Sequence, residues 1–374
     1  MAAKDTIRQV FTGREEHHTR RFLAWRKKEI FAAEIKNLYD RRDEWKQDLT
    51  EEQKRQVDAF YLKNYGKKIP YYWHRMYTAY TGSFCADYLP EIIFSTELEP
   101  ALNPYSTAFP LQNKAFCPQK LFQGLEAGGI AVPEPILTNC RGTWWTPDGK
   151  VISAADAEKL IGDAGEFIIK PTVDTMGARN VRLCDMRNGV DAATGDTAQA
   201  LMTGYGHDFI LQRRVRCHPS IAKLYPNAVN TLRVITYVTE KGIKVAPLSM
   251  RIGINGRIVD NAGIFIGVHD DGRLFPTGFS KKHIERITKH PDTGIVFDGC
   301  RIEGVPEIKA AAIRLHAFLP QLRIISWDLA YDEQSRVTVI EVNTTAQSVW
   351  FPQMVTGQSI FGEDTAEMLR SIKK

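Results

Sequence analysis

Residues 324–344 read Ile-Ile-Ser-Trp-Asp-Leu-Ala-Tyr-Asp-Glu-Gln-Ser-Arg-Val-Thr-Val-Ile-Glu-Val-Asn-Thr. Two runs rich in β-branched and aromatic residues flank the polar group Glu333–Arg336, and this composition predicts a β-hairpin. A loop of even length centred between Gln334 and Ser335 puts Asp328 directly opposite Glu341. Asn343, two residues on, shares their face. Facing carboxylates repel across a ladder and are a defect in a sheet that has only to be stable. A divalent cation removes the conflict. Two carboxylates and an amide suit Mg2+, which keeps several waters and usually completes its octahedron with nucleotide phosphates. The plain alternative is an edge hairpin whose polar face is wet, and an odd loop or a bulge would break the facing arrangement.

A chain of 374 residues is too long for one ordinary core and predicts two or three domains or subdomains. Its 43% hydrophobic and 25% charged content is that of a soluble globular protein. No stretch approaches the roughly 18 apolar residues of a membrane span, and the charged start Met-Ala-Ala-Lys-Asp is no signal peptide, so a cytoplasmic protein is expected. Six scattered cysteines form no Cys-x-x-Cys pair and lie near no His at zinc spacing. They read as reduced thiols. Residues 1–68 hold 17 Lys and Arg against 12 Asp and Glu, and the remainder holds 32 of each. The net charge of +5 therefore lies in the N-terminal segment. Its mixed signs fit a solvated helical face and argue against a nucleic-acid surface.

Residues 14–47 carry Phe22, Trp25, Ile30, Phe31, Ile35, Leu38 and Tyr39 at roughly helical spacing. Thr50-Glu-Glu-Gln53 is a capping box, and the helix it opens presents Val57, Phe60, Tyr61 and Tyr65 before stopping at Gly66. Asn113 is expected to cap a helix bearing Phe116, Leu121, Phe122 and Leu125, ended by Gly128 and Gly129 before a strand-like run from Ile130 to Ile136. Lys114 then lies in a first turn, where the helix dipole disfavours a cation unless a phosphate meets it. Helices are expected over 154–165 and 306–318, and Asp196 is expected to cap another. Lys170 interrupts the apolar strand Phe167-Ile-Ile-Lys170, where burying an ammonium is costly without an anion. An outward-facing lysine on a half-exposed strand is the alternative. Residues 230–239 and 243–254 read as a hairpin about Glu240-Lys-Gly242, and Arg233 and Arg251 punctuate it as ion-pair partners or anion binders. Asp260-Asn261-Ala-Gly263 reads as turn chemistry.

The order Asn113-Lys114, Phe167-Ile-Ile-Lys170-Pro, Gln212-Arg-Arg-Val215, Asn230-Thr-Leu-Arg233, Arg251-Ile-Gly, Asp260-Asn261 and Trp327-Asp328…Glu341-Val-Asn343 resembles the ATP-grasp enzymes. More closely it resembles their sugar-transfer-associated branch, found with bacterial surface-polysaccharide genes, over about residues 50–362. The resemblance implies an α+β ATP-grasp fold, with two α+β subdomains gripping ATP. The corresponding division is a helical N-terminal region over 1–105, N-terminal and lid subdomains over 106–208, and a C-terminal subdomain with the metal hairpin over 209–374. It implies that Lys114 and Lys170 touch ATP phosphates and that Gln212, Arg213 and Val215 receive adenine through the backbone. Asp328, Glu341 and Asn343 would hold Mg2+. Arg251, assisted by Arg233, would stabilise a phosphate or acyl phosphate. One departure is the loop 172–179, often glycine-rich in the family, which here has only Gly177. The implied activity is a carboxylate–amine ligase acting through an acyl phosphate, with a uronic acid and an amine as substrates. The rivals are a sugar kinase using the same ATP site, and a non-catalytic nucleotide-binding partner of polysaccharide-assembly proteins.

Overall fold

The computed structural model describes residues 27–29, 47–122, 124–173, 180–260, 263–280 and 285–373. The predicted helices of 14–47 lie almost wholly outside these residues, as do Asn261 and most of the loop 172–179. The chain divides into two compact units. One comprises residues up to Ala108 together with 322–324 and 345–374, and the other comprises 109–321 and 325–344. Residues 345–374, expected with the C-terminal subdomain, thus group with the helical unit.

In the helical unit the capping box forms as read. Thr50 Oγ1 accepts from the Gln53 N–H at 3.2 Å, Gln53 Oε1 accepts from the Thr50 N–H at 2.9 Å, and helix Glu51–Asn64 follows. Its buried Val57 and Tyr61 meet an aromatic group in which Tyr61, Trp73, Tyr77 and Tyr88 are all enclosed. The Tyr77 and Tyr88 rings stand 4.7 Å apart. Gln353, fully buried on helix Trp350–Thr356, satisfies both amide functions: Oε1 accepts from the Leu89 N–H at 2.9 Å and Nε2 donates to the Leu89 carbonyl at 2.9 Å. Glu91 caps the same helix by accepting from the Val349 and Trp350 N–H groups at 2.9 and 3.1 Å.

The second unit holds two sheets. The larger runs, edge to edge, Ile130–Ala131, Val337–Asn343, Ile324–Tyr331, Thr231–Thr239, Leu248–Ile252, Ile264–Val268, Leu274–Ser280 and Arg286–Ile287, with Gly242–Val245 also paired to Thr231–Thr239. The smaller runs Val151–Ile152, Thr143–Trp145, Pro135–Cys140, Phe209–Arg213, Gly165–Pro171, Arg182–Arg187 and Val190–Asp191. One face of the smaller sheet buries Leu137, Phe167, Ile169, Phe209 and Leu211 against helices Ala154–Gly162 and Ala198–Tyr205. By strand alternation, Ile168, Lys170, Ile210 and Gln212 share the other face.

Several expectations are corrected. The segment after Asn113 is a series of turns and not a helix, because Pro118 can supply no N–H to a helical ladder. Asn113 still caps: its Oδ1 accepts from the Ala115 and Phe116 N–H groups at 2.9 and 3.3 Å. The run 130–136 feeds both sheets, Ile130–Ala131 joining the larger and Pro135–Cys140 the smaller. Thr197, not Asp196, caps helix Ala198–Tyr205, and Asp196 instead pairs with Arg182 at 2.7 Å. The strand expected over 243–254 breaks between Val245 and Leu248, where Pro247 cannot donate to the ladder, and both halves pair antiparallel with Thr231–Thr239.

Candidate functional site

The hairpin that opened the reading reaches its facing arrangement by another route. Tyr331 pairs with Val337, Ala330 with Thr338 and Leu329 with Val339, so the loop 332–336 is odd in length. Asp332 organises it: Oδ1 accepts from the Gln334 and Arg336 N–H groups at 3.0 and 2.9 Å. The register then shifts, leaving Ile340 without a partner, and beyond this bulge Asp328 pairs with Glu341 and Ser326 with Asn343. Odd loop and bulge cancel. Trp327 points to the opposite face, where its ring meets Phe122 and its Nε1 donates to Thr236 Oγ1 at 2.8 Å. Burying that indole turns Asp328 the other way.

Neighbouring strands extend the row. Arg251 pairs with Thr231, and Ser249 with Arg233. Asp328, 1% exposed, accepts at Oδ1 from Arg233 Nε (2.6 Å) and at Oδ2 from Arg233 Nη2 (3.3 Å) and Arg251 Nη2 (2.7 Å). Burial pushes its carboxyl up, but the two guanidiniums outweigh this and hold it below the usual carboxylate range. Arg233 Nη1 also donates to Ser326 Oγ at 3.3 Å, and Arg251 Nη2 donates to Thr231 Oγ1 at 3.1 Å. Asp260 accepts from the Thr231 N–H and Oγ1 at 3.0 and 2.5 Å and lies 3.5 Å from Arg251. Its burial keeps its carboxyl above the ordinary value despite Arg251. Asp260, Thr231 and Ser326 are thus parts of the site that sequence reasoning missed. Asp260 lies far from Thr231 and Asp328 in sequence, so only its presence in a familiar motif order hinted at more than a turn.

The two lysines arrive from outside the larger sheet. The Lys114 N–H donates to the Thr172 carbonyl at 2.9 Å, which ties its segment to the end of strand Gly165–Pro171, and its Nζ lies 3.0 Å from Glu341 Oε1. Lys170 is 9% exposed, and its ammonium makes no hydrogen bond or ion pair among the described residues. Burial lowers its pKa to about 8; Glu341 acts against the shift and Lys114 adds to it. Gln212, on the same face, is 2% exposed with Nε2 lacking a partner. The Arg213 N–H donates to the Glu134 carbonyl at 2.8 Å and its guanidinium to the Ala164 carbonyl. Val215 follows the strand, partly exposed.

Lys114, Lys170, Arg233 and Arg251 thus surround Asp260, Asp328 and Glu341, and even with every acid ionised the cations are in excess. Such a charge balance favours an anionic ligand. Beside it, Glu341, whose side chain is about a third exposed, and the amide oxygen of Asn343 are the kind of oxygen donors a divalent cation takes, while the Asn343 Nδ2, buried without a partner, is a donor left for an acceptor. No group of three His, Cys, Asp or Glu arranged for a metal occurs among the described residues.

A model of the family described as sugar-transfer associated ATP-grasp matches residues 93–369. Comparison with curated proteins gives no match. Similar solved structures include an ATP-grasp ligase, PsnB, complexed with a minimal precursor (15% identity, TM-score 0.39, 71% of this chain and 62% of that one). Another is a biotin carboxylase–ATP complex from Campylobacter jejuni (14%, 0.42, 72% and 48%). A third is an N5-carboxyaminoimidazole synthetase from Staphylococcus aureus complexed with ADP (12%, 0.39, 73% and 55%). The chain spans 48–62% of the length of these structures.

Proposed function

Because the chain belongs to the sugar-transfer associated ATP-grasp family, we propose that it is an ATP- and Mg2+-dependent ligase that joins a carboxylate to an amine. The observation that carries this reading is Lys170, an ammonium held in a strand with no anion of its own, on a face shared with the unsatisfied amide of Gln212. A triphosphate meets the first need and a nucleobase the second. Lys170 and Lys114 bind the phosphates, and Lys114 leaves Glu341 to do so. Adenine lies along Gln212–Val215, where Arg213 is already committed to protein carbonyls and the Gln212 amide and Val215 backbone remain. Asp328, Glu341 and Asn343 would hold Mg2+, which supplies charge neutralisation on the phosphates.

The carboxylate substrate attacks the γ-phosphate, ADP leaves, and the amine then displaces phosphate from the acyl phosphate to form an amide. Arg251, whose Nη1 makes no hydrogen bond among the described residues, stabilises the charge that develops on the transferred group, and Arg233 assists. The acyl phosphate has to be kept from water until the amine attacks. The family's association with sugar transfer supports an acceptor of sugar chemistry, and we take that acceptor to be a uronic acid or similar sugar carboxylate in surface-polysaccharide assembly.

The test is mass spectrometry of products after incubation with ATP, Mg2+, a uronic-acid panel and an amine panel. A ligase releases ADP and phosphate in equal amounts only when both co-substrates are present, and hydroxylamine traps the acceptor as a hydroxamate. A phosphosugar formed without amine, at the rate of ADP release, replaces the ligase with a kinase.

A further inference from the structure

At Glu341 the ammonium of Lys114 takes a cation's place. Its Nζ lies 3.0 Å from Glu341 Oε1, and the two side chains are 12% and 32% exposed. The backbone behind it is fixed: the Lys114 N–H donates to the Thr172 carbonyl, and Asn113 Oδ1 accepts from the Ala115 and Phe116 N–H groups. Lys114 therefore leaves Glu341 by rotating its side chain, with its main chain in place. Lys170 stands close enough to feel both partners, Lys114 pushing its pKa down and Glu341 pushing it up. One carboxylate thus offsets two ammoniums, and Lys170 has no ion pair of its own among the described residues. A dication arriving alone at Glu341 takes that carboxylate from both lysines and adds two positive charges beside them. Like charges repel most where water is scarce. The same dication arriving on a triphosphate brings the anion to which both lysines turn.

We propose that Lys114 is a latch on the metal site: its ammonium competes with a divalent cation for Glu341, so the cation binds together with nucleotide and only weakly without it. This rests on the nucleotide–metal reading of the site, and it gives a regulatory role to a lysine that this reading treats as a phosphate contact alone. The competition is confined to Glu341; Asp328 and Asn343 complete the protein's ligand set once the latch has opened. Whatever affinity the cation loses to the lysine in the absence of nucleotide reappears as coupling between cation and nucleotide, and linkage makes that coupling reciprocal. The phosphates that draw Lys114 away are those the cation is to neutralise, so one event prepares the site for both.

The test is Mn2+ binding followed by electron paramagnetic resonance, with and without a non-hydrolysable ATP analogue. Without nucleotide, Lys114→Met is expected to bind Mn2+ about tenfold or more tightly than the parent, and Lys114→Arg to stay within about threefold of it, because a guanidinium keeps the ion pair. The ratio of Mn2+ affinities with and without the analogue is expected to fall by about the same factor in Lys114→Met. Two comparisons separate the ion pair from the general field of the lysines. Lys170→Met removes an equal charge that is not paired with Glu341, and its gain is expected to be smaller by about threefold or more. In a Glu341→Gln background, Lys114→Met is expected to gain nothing. Lys114→Gln carries the same comparisons if the methionine variant does not fold. Unchanged Mn2+ affinity in Lys114→Met without nucleotide, an equal gain in Lys170→Met, or a gain that survives Glu341→Gln overturns the latch while leaving the nucleotide reading in place. A parent protein that forms no Mn2+–nucleotide complex overturns both.

Discussion

Lys170 sits on a strand whose other face is core, and in the absence of a ligand its ammonium has no acceptor among the described residues. This has two measurable consequences. Lys170→Met is expected to weaken ATP binding by about 2–5 kcal/mol, since a desolvated charge–phosphate contact is lost; calorimetry showing parental affinity would refute the phosphate role. The same substitution is expected to stabilise the ligand-free protein. Burial holds the folded pKa near 8, below the ordinary 10.5, so between these values the unfolded chain binds the extra proton. Stability then rises with pH through that window, and the cost is present in full below it. Denaturant unfolding of the parent should show a gain on the order of 2–3 kcal/mol from pH 8 to 10.5 that Lys170→Met lacks. The lysine's need for an anion was legible in sequence because it broke an apolar run. Asp260 was not, because a turn-forming aspartate and a buried site aspartate look alike until the chain folds.

Among the elements, the hairpin 324–344 shows how a correct juxtaposition can follow from an incorrect premise. Sequence alternation identified two strands and the face they share, but loop parity and the bulge at Ile340 are set by Asp332, which accepts bonds from Gln334, Arg336 and Thr338. Asp332 is 3% exposed, and its loss leaves the buried Thr338 hydroxyl and the part-buried Gln334 and Arg336 N–H groups without this acceptor. Asp332→Ala is expected to cost about 1–3 kcal/mol and to weaken Mn2+–nucleotide binding by shifting Glu341 and Asn343. Chemical denaturation and metal titration check the two effects; an unchanged midpoint would show that the loop holds its parity without the side chain. The segment after Asn113 shows the reverse case. Its cap was read correctly and its helix was not, because one proline outweighs a favourable first turn.

At the scale of the molecule, residues 345–374 follow directly from the strand that bears Glu341 and Asn343, and they are built into the helical unit through buried polar groups. Glu99 Oε1 accepts from the Gln347 N–H at 2.7 Å, Glu91 caps at Val349 and Trp350, and Gln353 spans to Leu89. Asn103 receives the Arg323 N–H at 3.0 Å, ahead of Asp328. Gln353→Leu removes a hydrogen-bonding hub and leaves the Leu89 N–H and carbonyl buried without partners, at an expected cost of about 2–4 kcal/mol. Limited proteolysis should then cut first within residues 47–108 and 345–373. Cleavage starting instead within 109–321 would show that the helical unit does not depend on this residue.

The sequence by itself determined the hairpin, the strand lysine and the motifs whose order carries the family resemblance, because each motif rests on local periodicity or on residue types at short spacing; the α+β class came through that resemblance. Only the tertiary structure decided that Arg233 and Arg251 converge on Asp328, that Asp260 and Thr231 belong to the site, that Lys114 meets Glu341, and that the last thirty residues join the helical unit. These pairings bring together groups far apart in the chain, and each offsets the cost of stripping water from the charges it buries. No local pattern encodes which distant partner a buried charge will find, because that choice is made by the packing of strands whose order in the sheet differs from their order in sequence.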